Sequence, residues 1–348
     1  MKNAAKLTKS LLAWYQDNKR DLPWRTENPE PYRVWLSEIM LQQTTVPVVG
    51  PYFEEFTRRW PTLKSLAAAN LDDVLHAWQG LGYYARARNL HKCAQVLVAQ
   101  YAGDFPRNEK RLLALPGIGS YTAAAIAAIA FDIPSAPVDG NIVRVISRLL
   151  RLQTPLPGLR REVAAVLPPL IPSDKPGDMV QALMDLGSAI CRPGKPLCQQ
   201  CPWQAMCAAF KAGETEQLPV KAARKAKPTR HGVVFWIENS QAHILLRRRA
   251  EKGLLGGMME VPSSGWREEE WGRQEAINEA PVLADWQSIP GCVRHTFTHF
   301  HLSLTVLHGR ANQGKVNTGV WCAPDQFSNH ALPSVMKKVI RHVKEVAP

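Results

Sequence analysis

The chain has 348 residues, of which 45% are hydrophobic and 21% are charged, a composition typical of a folded protein with room for two or three domains. Its formal net charge of +13 suits a polyanionic partner such as nucleic acid or an anionic membrane surface, and it is also compatible with a role in solubility alone. No run of about 18 uncharged apolar residues occurs, and the amino-terminal stretch becomes polar too early for a signal peptide. We therefore expect a cytoplasmic protein that does not bind membranes.

Residues 1–210 carry the pattern of a helical domain, because apolar residues recur every three or four positions, as in VWLSEIMLQQT and LDDVLHAWQG. Within residues 110–130, an apolar helix runs into a turn of two glycines, Gly117 and Gly119, and a second helix begins near Ser120. Glycines allow a tight turn, and the free N–H groups of a helix start favour an anion such as a DNA phosphate. This helix-hairpin-helix pattern is also compatible with a simple turn between packed helices.

Two separate acids are candidates for acid–base chemistry. Glu38 is the single acid in the apolar helix VWLSEIMLQQT, and its apolar neighbours could raise its pKa as a proton donor requires. Asp139 lies just before a helix that starts near Asn141. Alternatively, Glu38 could face solvent, and Asp139 could cap the helix that follows it.

Four cysteines form a cluster with the spacing Cys-x6-Cys-x2-Cys-x5-Cys within residues 191–207. They are Cys191, Cys198, Cys201 and Cys207. In a chain of cytoplasmic type, such a cluster points to a metal centre ahead of disulfides. Four thiolates can hold either zinc or an iron–sulfur cluster, and the spacing alone does not choose between them.

The remaining sequence divides into a connector and a second domain. Residues 211–230 are polar, basic and without an apolar period, which predicts an interdomain connector that contacts a nucleic-acid backbone. Residues 231–348 contain strand-like segments, including TFTHFHLSLTVLHG, and close on one helical run, PSVMKKVIRHVKEV. This pattern predicts an α+β domain.

The helix-hairpin-helix, the downstream VDGN and the four-cysteine spacing together resemble the iron–sulfur DNA glycosylases of the endonuclease III superfamily. Within it, the segments LPWR, SEIMLQQT, GLGYYARARNLHK, GSYT and VDGNIVRV are similar to the adenine DNA glycosylases of the MutY family. The resemblance implies a multidomain protein with an all-α helix-hairpin-helix glycosylase fold, a [4Fe-4S] cluster on the four cysteines and a C-terminal Nudix-like domain. The segment EVPSSGWREEEWGRQE does not reproduce the metal-binding spacing of a Nudix hydrolase, so we expect a recognition domain without hydrolase activity.

The resemblance also implies roles for individual residues. The expected catalytic residues are Glu38, Asp139, Asn141 and Tyr121. Residues expected around the adenine are Trp24, Arg25, Leu41, Gln181 and Met184. Residues expected to bind DNA or 8-oxoguanine are Gln43, Tyr83, Gly117, Gly119, Phe297, Thr298 and His299. By type alone, several of these could be ordinary core or surface residues.

Tyr121 occupies the position at which strand-cleaving relatives of the endonuclease III type carry a catalytic lysine. Because a phenol cannot form a Schiff base, we expect a monofunctional enzyme of base excision repair. Its expected partner is duplex DNA with adenine opposite 8-oxoguanine or guanine, and we expect a nucleoid-associated monomer. The alternatives are a bifunctional glycosylase for oxidised pyrimidines and a non-catalytic, lesion-binding iron–sulfur protein.

Overall fold

The computed structural model describes residues 3–220, 226–251, 253–311 and 319–346. The chain forms two compact units, and each is made of two separate segments. The first unit is drawn from Met1–Ala68 and Asn89–Ala223, and the second from Ala69–Arg88 and Arg224–Pro348. In the described part of the chain, every helix is too short or too polar to cross a membrane.

The first unit is helical, as the apolar periodicity predicts. Its helices, together with α5 and the first turn of α6 from the second unit, are α1 (Ala4–Asn18), α2 (Pro31–Leu41), α3 (Val46–Arg59), α4 (Leu63–Ala68), α5 (Leu71–Ala77), α6 (Ala85–Tyr101), α7 (Glu109–Leu113), α8 (Ser120–Phe131), α9 (Gly140–Leu150), α10 (Gly158–Val166), α11 (Pro176–Asp185) and α12 (Ala208–Lys211). A π-helical turn, Leu186–Ile190, continues α11. Short 3-10 turns lie at Pro168–Leu170, Cys198–Gln200 and Gln204–Met206.

Helix α8 is a packing centre of this unit because its side chains are small. Its residues 122–128 are all buried, and both α2 and α11 pack against it. On α11, a Cβ atom at Gly177 would come within 2.8 Å of the Ala128 carbonyl oxygen. The alanine run and this glycine therefore let the helix backbones approach closely, which brings α2 and α11 together against α8.

The second unit is built on a mixed β-sheet. Its strands are β1 (Thr229–Glu238), β2 (Ile244–Arg248), β3 (Met259–Glu260), β4 (Gln287–Thr296), β5 (His301–Arg310) and β6 (Val320–Cys322), in the order β3-β2-β1-β5-β4 with β6 beside β2. Strands β1 and β5 are parallel, with Thr229 opposite His301, and the other pairs are antiparallel. The C-terminal part also contains α13 (Arg273–Asn278), a 3-10 turn at Pro324–Asn329 and α14 (Ser334–Val346).

Each face of this sheet has its own core, because successive residues of a strand point to opposite sides. On β1, Val233 and Phe235 pack in the cluster that includes Ala276 of α13. Val234 and Trp236 pack in the cluster that includes the apolar residues of α14. The sheet therefore lies between the two helices, as in an α+β domain.

The structure differs from the sequence expectation in one segment of the second unit. The segment TFTHFHLSLTVLHG is a strand from His301 onward, as predicted, but residues 297–300 form a tight turn between β4 and β5. The Phe297 N–H, bonded to the Phe300 carbonyl at 2.9 Å, closes this turn. Within the predicted connector, 211–230, Glu214 pairs with Arg151 at 2.5 Å and β1 begins at Thr229; the bounds of the connector stay a prediction. Its residues 221–225 lie outside the described part of the chain.

The segment 69–88 was expected in the helical domain but groups with the C-terminal segment in the second unit. Its partners there lie more than 140 residues further along the chain, so no local sequence pattern indicates the grouping. The predicted domain boundary at residue 210 stays a prediction.

Candidate active site

Glu38 lies on α2 with only 6% of its surface exposed. The Tyr121 hydroxyl, from the first turn of α8, donates a hydrogen bond to its carboxylate. Close packing of α2 on the small residues of α8 therefore brings together two of the four predicted catalytic side chains, although they are 83 positions apart in the sequence.

The surroundings of Glu38 shift its acidity toward neutral pH. Burial raises the pKa of Glu38 to about 7; the hydrogen bond from Tyr121 opposes this rise, the charge of Asp139 adds to it, and the Arg25 guanidinium also opposes it. Burial likewise raises the pKa of Tyr121 well above its ordinary value, so the phenol stays protonated and remains a donor. A carboxyl group with a pKa near 7 can both donate and accept a proton at neutral pH.

Asp139 is the N-cap of α9, which is the structural alternative considered from the sequence. Its Oδ1 accepts the Ile142 N–H at 2.7 Å, and its Oδ2 accepts Asn141 Nδ2 at 2.9 Å. Asn141 is held in turn, because its Oδ1 accepts Arg144 Nη2 at 2.8 Å. Capping fixes the carboxylate, and the electrostatic influence of Asp139 on Glu38 shows that the two acids are close enough to interact.

The five residues predicted to surround the adenine line one cavity of the first unit, together with Glu38. They come from the loop before α2, from α2 and from α11. They are Trp24, Arg25, Leu41, Gln181 and Met184. The cavity wall also includes residues that sequence reasoning missed. These are Arg20, Leu22, Val34, Ser37, Val46 and Ile129.

Asp185 is a further residue that sequence reasoning missed. It lies fully buried at the end of α11 and holds two cavity arginines. The Arg25 guanidinium donates to both of its oxygens, at 2.7 and 2.9 Å, and Arg20 Nε donates to it at 2.6 Å. The available signal was an acid directly after Met184, at the end of the mostly apolar run MVQALM. Asp185 therefore fixes the cationic side of the cavity.

The glycine turn before α8 has two different glycines. Gly117 has φ +74°, and a Cβ atom there would lie 2.7 Å from Asn89 Cβ, so both conformation and packing require glycine. Gly119 has an ordinary φ of −92° and open space beside it. No side chain caps α8 at this end. Its first N–H groups therefore have no side-chain cap, as at helix starts that bind an anion.

The four clustered cysteines line a second cavity of the first unit, together with Arg148 and Phe210. Arg148 is almost fully buried; its Nη1 donates to Cys191 Sγ at 3.3 Å, and its carbonyl accepts from Cys207 Sγ at the same distance. Within the described ranges, no three His, Cys, Asp or Glu side chains are arranged to hold a metal ion. The thiols therefore surround a shared space beside a buried cation.

Two residues predicted to contact DNA have strained backbones. Gln43, two residues after the end of α2, has φ +59° and is exposed, and Tyr83 has φ +48° with 45% of its surface exposed. Positive φ is uncommon for residues other than glycine and accompanies functional sites. Each side chain thus projects to the surface of its own unit from a turn.

The other predicted 8-oxoguanine-binding residues, Phe297, Thr298 and His299, lie in the turn at 297–300. Thr298 and His299 are exposed, whereas Phe297 is half-buried and packs on Trp266 and Phe300, with ring centroids at 5.8 and 4.9 Å. The Thr298 hydroxyl shares a hydrogen bond with the Tyr83 hydroxyl. The second unit therefore joins two predicted recognition residues that are 215 positions apart.

Comparison with known proteins agrees with this arrangement. A family model described as HhH-GPD superfamily base excision DNA repair protein matches residues 36–169, and one described as NUDIX domain matches residues 233–342. A solved structure of a thermostable thymine-DNA glycosylase is similar over 61% of this chain and 98% of its own, with a TM-score of 0.55 and 29% identity. These matches confirm the predicted fold class.

Whole-chain relatives make the relationship more specific. The human adenine DNA glycosylase is 34% identical, over 95% of this chain and 73% of its own length. The adenine DNA glycosylase of Buchnera aphidicola subsp. Baizongia pistaciae is also 34% identical, over 97% and 96% of the two chains. The chain therefore belongs to the adenine DNA glycosylase family and is an adenine-specific DNA glycosylase of base excision repair.

Proposed function

We propose that the enzyme is monofunctional and hydrolyses the N-glycosidic bond of adenine paired with 8-oxoguanine or guanine in duplex DNA. The observation that carries this proposal is the buried Glu38, with a pKa of about 7, in the cavity lined by the predicted adenine-binding residues. A base stacked in a duplex cannot reach this cavity, so the adenosine must rotate out of the helix.

Glu38 acts first as the acid. Its protonated form donates to N7 of the adenine, which makes the base a better leaving group. Because burial raises the pKa of Glu38 to about 7, both its protonated and its ionised forms are populated at neutral pH. Around the base, Trp24 and Met184 supply apolar contact, and Arg25 is held in place by Asp185.

Asp139 acts on the sugar that remains. Departure of the base leaves positive charge on the sugar, and the Asp139 carboxylate stabilises or traps it, as paired acids do in glycoside hydrolysis. Asn141 fixes the orientation of that carboxylate through the 2.9 Å hydrogen bond. Glu38, having lost its proton, then serves as the base that activates water.

Tyr121 explains why the reaction ends at an abasic site. It lies beside Glu38 at the start of α8, and its phenol cannot form the Schiff base that a lysine would form. The side chain instead orients the Glu38 carboxyl group by its hydrogen bond.

We also propose that Cys191, Cys198, Cys201 and Cys207 hold a [4Fe-4S] cluster. The chemistry of the four thiols fits such a group, and they surround a common space instead of converging on a point. The buried Arg148 cation would compensate negative charge on the thiolates. When bound, the cluster would cross-link residues 191–207 covalently. This loop also carries exposed cations such as Arg192.

The second unit is proposed to recognise the base opposite adenine. Phe297, Thr298 and His299 form its turn at 297–300, and Gln43 and Tyr83 would enter the DNA helix beside the rotated nucleotide. Nudix-type hydrolysis is not expected. Glu260 is buried and paired with Arg247 at 2.8 Å and with Arg249, and Glu275 is paired with Arg267 at 2.5 Å, so these carboxylates are already neutralised.

Base-release kinetics test the proposal. Single-turnover rates are measured on A:8-oxoguanine, A:G, A:C and thymine glycol duplexes, with borohydride trapping on the last. Glu38→Gln and Asp139→Asn should keep DNA binding and lose adenine release. Glu109→Gln is the matched control, because this carboxylate accepts the Ser135 hydroxyl outside the cavity. Near-normal release by either active-site variant would refute the assigned roles, and a trapped adduct would favour the bifunctional alternative.

A further inference from the structure

The segment 69–88 is joined to the C-terminal part of the second unit at both ends of α5. At the start of α5, the Arg248 guanidinium binds the Asp72 carboxylate with two hydrogen bonds, Nη1 to Oδ1 at 2.8 Å and Nη2 to Oδ2 at 2.7 Å. Arg248 Nη1 also donates to the Gly257 carbonyl at 2.9 Å. This bidentate geometry fixes the relative orientation of the two side chains as well as the distance between them.

Beyond the first turn of α5, three further hydrogen bonds reach the region around α14. His76 Nε2 donates to the Ser328 carbonyl at 2.9 Å, and Gln79 Nε2 donates to the His330 carbonyl at 3.1 Å. The Gln79 amide oxygen accepts Lys337 Nζ at 2.7 Å. The segment is therefore held along its length by groups of the C-terminal part.

Tyr83 lies at the end of this held segment. It follows Gly82, which has φ +70°, and its own φ of +48° is unfavourable for a tyrosine. The Arg86 guanidinium lies 5.8 Å from the Tyr83 ring centroid, and the Tyr83 hydroxyl is bonded to Thr298. Such a conformation persists only where the surroundings hold it.

We propose that the Asp72–Arg248 ion pair is a positioning device for recognition of the base opposite adenine. The pair fixes α5, α5 fixes the turn at Tyr83, and the Tyr83 hydroxyl meets Thr298 in the turn at 297–300. The two recognition elements then act as one preorganised surface, although they come from distant parts of the sequence. This inference rests on the proposed recognition roles of Tyr83 and Thr298, and Asp72 and Arg248 themselves need not touch DNA.

The test compares two duplexes in the full-length enzyme. Single-turnover adenine release is measured opposite 8-oxoguanine and opposite guanine, and the ratio of the two rate constants is the readout. Asp72→Asn should lower this ratio by about threefold, since it loosens the recognition surface and leaves the catalytic cavity intact. The double variant Asp72→Arg, Arg248→Asp should recover at least part of the ratio.

A matched control is available in the same unit. Arg267 and Glu275 form another bidentate ion pair. The exposed fractions of the two carboxylate side chains are similar, 51% for Glu275 and 54% for Asp72. Glu275→Gln should leave the ratio unchanged. A general loss of folded protein lowers both rates together and leaves their ratio at the wild-type value, so misfolding cannot imitate the expected result. An unchanged ratio in Asp72→Asn, or no recovery of the ratio in the double variant Asp72→Arg, Arg248→Asp, overturns the proposal.

A double-mutant cycle separates this inference from the proposed function. Thr298→Ala should lower the ratio by itself, and adding Asp72→Asn should lower it little further, because both changes break the same chain of contacts. Independent, multiplying effects would overturn the coupling while leaving the recognition role of Thr298 in place. If Thr298→Ala and Tyr83→Phe both leave the ratio unchanged, the recognition roles fail and the positioning role falls with them.

Discussion

Replacing Tyr121 by phenylalanine should move the pH dependence of adenine release in a direction that the structure specifies. The hydrogen bond from Tyr121 stabilises the ionised form of Glu38 and so lowers its pKa. Without the hydroxyl, the Glu38 carboxyl group keeps its proton to a higher pH. Because the proposed reaction needs protonated Glu38, the alkaline limb of the rate profile should move to higher pH in Tyr121→Phe.

The size of the displacement follows from the strength of the bond that is lost. In the wild type, the rate should begin to fall near pH 7 and then drop about tenfold for each further pH unit. A hydrogen bond to a charged group contributes about 1.5–3 kcal/mol, which corresponds to a displacement of about one to two pH units. If Tyr121 contacts the sugar, the plateau rate at low pH also falls in Tyr121→Phe. The pH at which the rate begins to decline does not depend on the value of that plateau rate.

The assay is single-turnover release of adenine from an A:8-oxoguanine duplex between pH 5 and pH 10, a range of about two to three units on either side of the wild-type limb. Tyr32→Phe is the matched control, because Tyr32 is a buried tyrosine of the same helix as Glu38, and its hydroxyl donates to the Trp60 carbonyl at 2.7 Å. This control should leave the limb in place. A limb in Tyr121→Phe that stays at the wild-type pH, or moves to lower pH, would refute the assignment of Glu38 as the acid.

Three further outcomes are expected. The free energy of unfolding of Glu38→Gln minus that of the wild type should increase by about 3 kcal/mol between pH 4.5 and pH 7. The reason is that Glu38 keeps its proton in the folded wild type in this pH window and loses it in the unfolded wild type. Denaturant titrations at several pH values measure the difference. Asp185→Asn should lower the unfolding free energy by about 3 kcal/mol, because two partly buried arginines lose a fully buried partner, whereas the exposed Glu55→Gln should leave it nearly unchanged. Cys198→Ala should abolish the brown colour of an iron–sulfur protein and Cys93→Ala should retain it, as visible absorption spectra would show; a colourless wild type containing zinc would contradict the cluster assignment.

Much of the first unit could be predicted from the sequence because its signals are local. The glycine turn and the alanine run predict a helix that begins near Ser120, and α8 begins there. Asp139 next to Gly140 has the form of a helix cap, and it does cap α9. Family resemblance named the residues around the cavity, because those positions lie in short recognisable segments such as LPWR and SEIMLQQT.

Other features depend on contacts that no local pattern records. Asp185 holds Arg20 and Arg25 across about 160 positions, so its importance is visible only after folding. The alternation in TFTHFH is typical of a strand, but the bond between Phe297 and Phe300 closes a turn there. The grouping of residues 69–88 with the C-terminal part likewise depends on partners such as Arg248, which lies 176 positions beyond Asp72.

The two-segment composition of the second unit has a consequence for synthesis on the ribosome. Residues 69–88 emerge long before Arg248 and Lys337, the side chains that anchor them. At about 5–20 residues per second, the nascent chain waits roughly ten seconds or more before these partners are made. Residues 69–88 therefore cannot fold in the order of synthesis, and the segment that carries Tyr83 reaches its final place only after Arg248 and Lys337 have been made.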